Sequence, residues 1–289
     1  MQNYTSLLEK TPTTNTSTSL YLDLMKRCVT DWIYLDSKVD SNIPFFTAIK
    51  VLIFALRRGK NPLEWLNDFG AENIVEKNRI GGETPFPGRA HTMIGFKRLD
   101  TLQKCVEDVL ENDIPGDFLE AGVWRGGACI FMRAILQAYG IKDRQIWVAD
   151  SFQGVPAPNA KKYPQDAGWW FHLIDEVAVP LKQVKANFSR YGLLDEQVKF
   201  IKGWFSDTLP SAPVEQLAVI RADGDLYEST MDILTNLYPK LSVGGYVIID
   251  DYGIVDACQK AVDDFRQANG IEDELISTDG YEHYWKKTK

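Results

Sequence analysis

Four aspartates stand in two short runs late in the chain. Asp223-Gly224-Asp225 follows the apolar stretch Leu217–Ala222, and Asp250-Asp251 ends the stretch Tyr246–Asp250. If both stretches are strands and the strands are neighbours, their ends lie about 4.8 Å apart. Several carboxylates then meet in one small volume. Two bare carboxylates roughly 4 Å apart repel by about 4 kcal/mol at an effective dielectric near 20. A divalent cation with hard oxygen ligands removes that penalty, and Mg2+ suits such a site. Any one of the four could instead face solvent or cap a helix. The cluster as a whole favours a metal.

A second set of residues suits a nucleoside. After the short stretch Phe118–Glu120 comes Ala121-Gly122-Val123-Trp124-Arg125-Gly126-Gly127, followed by a helical pattern. Glycines let the backbone approach a ligand closely, and the helix N-terminus behind them is polarised. The run is neither GxGxxG nor a Walker loop, which needs GxxxxGK followed by Ser or Thr. Tight strand-to-helix packing explains a glycine-rich turn equally well. The next apolar stretch, Gln145–Asp150, ends in an aspartate placed to accept from ribose hydroxyls. Alone, Asp150 reads as a cap or turn former; with the glycine run it points to a nucleoside-containing cofactor.

The histidines divide. His91, beside Thr92 in a loop, could touch a ligand or be an ordinary hydrogen-bonded loop residue. His172 follows Trp169, Trp170 and Phe171 between two strands. That segment could lie over the site as a lid, with His172 as a substrate contact or base, or could be aromatic packing alone. His283 and the cysteines read as structural. No serine sits in a GxSxG elbow, so a hydrolase triad lacks support.

The elements that must position these residues alternate. Leu99–Glu111, Ala128–Ala138, Leu181–Tyr191, Ser229–Leu237 and Val255–Asn269 read as helices. Phe118–Glu120, Gln145–Asp150, Val198–Lys202, Leu217–Ala222 and Tyr246–Asp250 read as strands, with Leu275–Thr278 and His283–Lys286 as a closing pair. Strand alternating with helix implies an α/β fold, a doubly wound and mostly parallel sheet covered on both faces. Ahead of it, residues 1–18 read as a polar lead-in and residues 19–89 as a helical region and loop, leaving 90–289 as the main domain. Ser19 could cap a first helix with Tyr21, Leu24, Cys28 and Trp32 on its apolar face. A second helix follows Pro44, with a stripe from Phe45 to Leu56. Such aromatic and apolar helices need a surface to cover, in the acceptor pocket or on a second subunit, so a homo-oligomer is expected.

Composition excludes other classes. The chain has 289 residues, 45% apolar, which can bury a large core. Its net charge of -8 and pI of about 5.0 repel phosphate backbones, so nucleic acid is not an expected partner. The four cysteines lie far apart, with no CxxC, which argues against structural zinc and against a disulfide framework. The apolar run Val51–Leu56 is far short of the ~20 residues needed to span a bilayer. Met1–Lys10 holds no apolar leader segment, so a cytoplasmic location is expected.

Seven stretches together resemble one family: LYLDLMKRCVTDWIY (20–34), AHTMIGFKRLD (90–100), FLEAGVWRGGACIFMRA (118–134), WVADSFQGVP (147–156), GWFSDTLP (203–210), RADGDLYEST (221–230) and GGYVIIDDY (244–252). They are similar to the macrocin O-methyltransferases of the TylF and MycF type, which methylate sugar hydroxyls and related groups of natural products. The likeness runs from about Leu20 to Lys289. It departs at residues 37–89, where members acting on macrolides have a shorter connection, and this leaves the acceptor open. The resemblance implies the class I methyltransferase fold, S-adenosylmethionine and Mg2+. It implies that Glu120, Ala121, Gly122, Trp124, Arg125, Gly126 and Gly127 wrap the methionine part of that cofactor. Asp150 would hold the ribose, and Ser151 and Phe152 would line the adenosine. Thr92 and Met93 would close over it, and Gly203, Trp204 and Asp207 would border the adenine. Asp223, Asp250 and Asp251 would hold Mg2+, and Asp225 would be the general base, with His172 as its rival. The acceptor is then a glycosylated or polyhydroxylated small molecule.

Three rivals bear on function. A metal-dependent catechol methyltransferase shares the fold and takes a planar diol. A nicotinamide-dependent dehydrogenase also uses glycine turns and a ribose acid, but leaves the aspartate cluster without a role. A non-catalytic binding protein on the same fold is opposed by the intact aspartate set.

Overall fold

A computed structural model describes residues 16–34, 88–169 and 171–289. The expected helix after Pro44 and most of the 37–89 segment lie outside the described residues.

Helix α1 (Ser17–Val29) opens the described chain. Thr16 caps it and Ser19 completes a reciprocal capping box, each side chain bonding the other residue's backbone amide. The cap therefore lies three residues before Ser19, and Ser17 and Thr18 belong to the helix rather than to a lead-in. Its buried face is Leu22, Met25, Lys26 and Val29, one residue round from the expected stripe, and Leu24 is exposed. Lys26 explains the shift: it is buried, and its ammonium lies over the Phe131 ring and pairs with Asp100. A charged residue counted as polar thus lies on the core face.

The main domain runs α2 (Phe96–Glu111), β1 (Asp117–Ala121), α3 (Gly127–Ala138), β2 (Ile146–Asp150), α4 (Leu181–Arg190), β3 (Val198–Lys202), α5 (Phe205–Thr208), β4 (Leu217–Ala222), α6 (Tyr227–Leu237), β5 (Leu241–Ile249), α7 (Asp256–Ala268), β6 (Ile276–Ser277) and β7 (His283–Lys286). The sheet order is β3-β2-β1-β4-β5-β7-β6. The first five strands are parallel, and β7 runs antiparallel to β5 and to β6. The mostly parallel sheet with an antiparallel close is as expected. Strand β5 begins five residues earlier than the sequence suggests, because Gly244 and Gly245 interrupt its apolar pattern.

Alternate strand residues feed two cores. Phe118, Val148 and Val219 face α1 to α4, while Leu119, Ala149 and Ile220 face α6 and α7. The strand order reverses between β1 and β4, and at such a switch point the diverging loops leave a crevice at the carboxyl ends of the strands.

Candidate active site

A cavity of about 480 Å³ opens at that crevice. Each strand passes its chain into the loop beyond its neighbour. The Gly122 amide donates to Ala149 O (2.9 Å), that of Asp223 to Ala121 O (2.9 Å) and that of Asp250 to Ala222 O (3.0 Å). The loops after β1, β4 and β5 therefore start side by side. Gly122 is required here: its φ is +89°, and a Cβ on it would sit 1.9 Å from Asp223 O.

On the β1–β2 side the loop is built from backbone. The buried end of β2 supplies Asp150, whose carboxylate accepts from the amides of Val123 (2.8 Å) and Phe152 (2.6 Å). Burial pushes its pKa up and these amide bonds oppose the rise. Trp124 and Phe152 take left-handed φ of +48° and +55° in the two loops. The Trp124 indole donates to Glu176 O (2.9 Å) and so ties the glycine-rich loop to the segment after β2.

On the β4–β5 side the site is built from charge. One oxygen from each of Asp223, Asp225 and Asp251 lies within 4.8 Å of the other two. Asp225 has φ of +54°, and its amide donates to Asp251 Oδ2 (3.2 Å). A non-glycine residue held there is strained, and strain of this kind concentrates at functional sites. Hard oxygens so grouped fit a divalent cation such as Mg2+.

Asp250, expected as a metal ligand, lies outside this trio. Its Oδ1 is taken by two buried arginines: Arg98 Nη1 donates to it at 3.0 Å, and Arg221 Nη2 donates to it as well. Burial alone would raise the Asp250 carboxyl, but Arg221 and Arg98 outweigh it and hold the pKa below its ordinary value. Arg221 reaches further. It also donates to Glu120 Oε1 (2.6 Å) on β1 and to Asp223 Oδ2 (3.0 Å). Arg98 is anchored by Asp279 (2.8 Å) from the loop before β7. Buried Glu120 also accepts from the Cys129 thiol (2.8 Å), and burial keeps its pKa raised in spite of Arg221.

The whole-chain comparison agrees with this architecture. The family model described as macrocin-O-methyltransferase (TylF) matches residues 18–287. The chain belongs to the macrocin-O-methyltransferase family. It is 46% identical to demethyldecarbamoylnovobiocin O-methyltransferase of Streptomyces niveus over 98% of this chain and 99% of that one. It is 48% identical to mycinamicin III 3''-O-methyltransferase of Micromonospora griseorubida, over 95% and 98% respectively. The solved structure of the O-methyltransferase NovP superposes with a TM-score of 0.79 at 46% identity, covering 94% of this chain and all of that chain. A calicheamicin methyltransferase at 18% identity and a TM-score of 0.53 shares the fold. As a macrocin-O-methyltransferase family member, the protein is an O-methyltransferase, and membership implies S-adenosylmethionine as methyl donor.

The family site expected from sequence divides in space. Thr92, Met93, Glu120, Gly122 and Trp124 line the cavity, as do Asp150, Ser151, Gly203 and Trp204. Ala121, Gly126, Gly127 and Phe152 do not. Ala121 and Phe152 are buried in the cores. Gly126 turns toward Val184 and Phe188, and the Gly127 amide donates to His91 O (2.8 Å). These two glycines serve close packing, the bland reading of a glycine-rich turn. Arg125 points to the other side of its loop, stacked on Trp124 at 4.1 Å. Asp207 is exposed, accepting from Ser206, which does line the cavity. His172 lies in a short 3-10 turn (Phe171–Leu173), and Phe171 rather than His172 faces the cavity.

Arg98 and Arg221 went unread in the sequence because each lies inside an apolar helix or strand pattern. The remaining acidic wall, Glu228 and Asp232 on α6, was also unread. Burial and neighbouring Glu228 push Asp232 up to about 6. Asp166 is another such residue: its carboxylate accepts from the Tyr227 (2.6 Å) and Glu228 (3.2 Å) amides, capping α6 from the segment after β2. Among the described residues no helix is long and apolar enough to cross a membrane.

Proposed function

We propose that this enzyme methylates a sugar hydroxyl of a natural product, with Mg2+ held by Asp223 and Asp251 and with Asp225 as the base. The observation that carries the reading is the convergence of these three carboxylates on the cavity that the β1 and β2 loops also line. A relative 48% identical to this chain, named as the 4'-O-methyltransferase of a rhamnosyl-tetracenomycin from Streptomyces olivaceus, supports a glycosylated acceptor.

When bound, S-adenosylmethionine supplies an electrophilic methyl group, and Mg2+ lowers the pKa of a coordinated hydroxyl. Asp225 stands within reach of any oxygen bound between Asp223 and Asp251 and takes its proton. Glu120 and Asp150 bind the polar ends of the cofactor, and Phe171, Trp204 and Phe205 give the cavity an apolar wall that excludes water. What remains is alignment of the accepting oxygen with the methyl carbon, supplied by rigid strand ends. Asp250 acts as an anchor for Arg98 and Arg221 in place of a ligand role. A homo-oligomer and a cytoplasmic setting complete the proposal, with no nucleic acid partner, in keeping with the acidic composition.

The test is methyl transfer to glycosides and to catechols, followed by mass, with Mg2+ and with excess EDTA. Transfer to a glycoside that chelation abolishes is the expected result. Activity that survives EDTA removes the metal from the mechanism, and transfer to catechols alone moves the acceptor class. Calorimetry with Mg2+ should show Asp251→Asn losing affinity and Asp250→Asn retaining it.

A further inference from the structure

The glycine-rich loop has a second side. There a separate cavity of about 630 Å³ lies between the end of α1, the loop at His91 and helix α4. Four arginines line it: Arg27, Arg89, Arg125 and Arg190, with Asp31 as the one carboxylate in its lining among the described residues. Two of the four are matched. Arg27 pairs with Asp23 at 2.7 Å, and Arg89 faces Asp31 at 3.6 Å.

Arg125 and Arg190 are different. Arg125 is half-buried, and its Nη1 donates to two backbone carbonyls, Gly88 O (2.6 Å) and Ala90 O (2.8 Å). Arg190 Nη1 donates to the amide oxygen of Asn187 (3.0 Å), and Asn187 in turn donates to the backbone carbonyl of Arg125 (2.9 Å). These partners are neutral, and neither guanidinium has a carboxylate within 4.0 Å among the described residues. Burial lowers the Arg125 pKa, as expected where a charge is desolvated without an opposite charge. His91 reports the same field. Its pKa falls to about 4, through burial first and then through Arg125 and Arg190. The imidazole stays neutral, bonded through Nδ1 to the Tyr191 hydroxyl at 2.7 Å.

A half-buried charge such as that of Arg125 is normally paired, and the exposed Arg190 stands at the same cavity with no carboxylate of its own among the described residues. Guanidinium groups are matched in shape and charge by oxyanions, which they bind through paired N–H donors. We propose that this cavity binds an oxyanion, a phosphate or carboxylate group of a small molecule, between Arg125 and Arg190. The site is distinct from the methyl-transfer cavity but shares its loop: Trp124 lines one and the adjacent Arg125 lines the other.

The experiment is calorimetric titration of the full chain with pyrophosphate, and separately with citrate, at low ionic strength. Saturating S-adenosylhomocysteine is present, so that anion binding in the cofactor cavity is blocked. The expected result is one-to-one binding of at least one probe, weakened about tenfold or more by Arg190→Glu and by Arg125→Gln. Arg190→Lys should keep most of the affinity, which separates loss of charge from loss of folding. Pyrophosphate binding alone identifies a phosphate site, and citrate binding alone a carboxylate site. Absence of binding by both probes overturns the proposal. So does binding that Arg190→Glu leaves unchanged.

Discussion

The ends of β1 and β2 and the ends of β4 and β5 line one cavity but are made by different means. At β1 and β2 the shape is set by backbone: Gly122 at a φ closed to other residues, left-handed Trp124 and Phe152, and an aspartate spent on two loop amides. At β4 and β5 it is set by side-chain charge: three converging carboxylates, a fourth held off by Arg98, and Arg221 spanning Glu120, Asp223 and Asp250. A ligand recognised along its whole length suits the first kind of wall. A proton or a cation suits the second, because only charge placed within a few ångströms acts on it. Arg221 is the side chain that joins the two halves, which is why its loss should be felt in both.

The sharpest break in this contrast is Asp225→Asn. It keeps the shape and removes the basic oxygen, so kcat should fall by about 10²–10⁴ while cofactor affinity stays put. His172→Ala, measured beside it, should leave kcat near normal. The reverse pattern in steady-state kinetics would make the histidine the base.

Arg221→Met should come next. It strands Glu120 and Asp250 in the core with one guanidinium fewer, and breaking a buried pair costs about 3–5 kcal/mol. Denaturant midpoints measure the loss. Adding Glu120→Gln should recover part of it, because the two residues touch and their effects are not additive. Strict additivity would mean that Arg221 does not bridge the halves.

Asp150→Ala tests the backbone-built side. It frees the Val123 and Phe152 amides, and cofactor affinity should drop at least tenfold, about 1.4 kcal/mol, in calorimetry. Unchanged affinity would show that the glycine-rich loop holds its form without the aspartate.

The smallest effect concerns His91, beyond the loop. Its folded pKa of about 4 lies below the unfolded value near 6.5. Between these the unfolded chain binds the extra proton, so stability is held above about pH 6.5 and is lost as pH falls toward 4. His91→Gln should flatten this slope, seen as a smaller difference in melting temperature between pH 4.5 and pH 7.

Much of the fold was legible because it is local. Period-two and period-3.6 patterns follow from backbone sterics, so Val198–Lys202 and Leu217–Ala222 could be bounded to the residue. The aspartate runs were legible for the same reason: a residue just past a parallel strand must stand at the sheet's carboxyl edge. Their convergence required β4 and β5 to be neighbours, an assumption that the pairing of Ala222 with Ile249 now supplies. What sequence could not fix is which way a carboxylate turns once it arrives. Asp250 and Asp251 are adjacent and both line the cavity, yet the first spends its Oδ1 on Arg98, 152 positions away in the chain, and the second joins Asp223 and Asp225. Likewise Trp124 and Arg125 are neighbours on opposite sides of one loop. Pattern and spacing set where each side chain enters the structure. Its partners are chosen by charges and volumes that only the folded topology brings within a few ångströms.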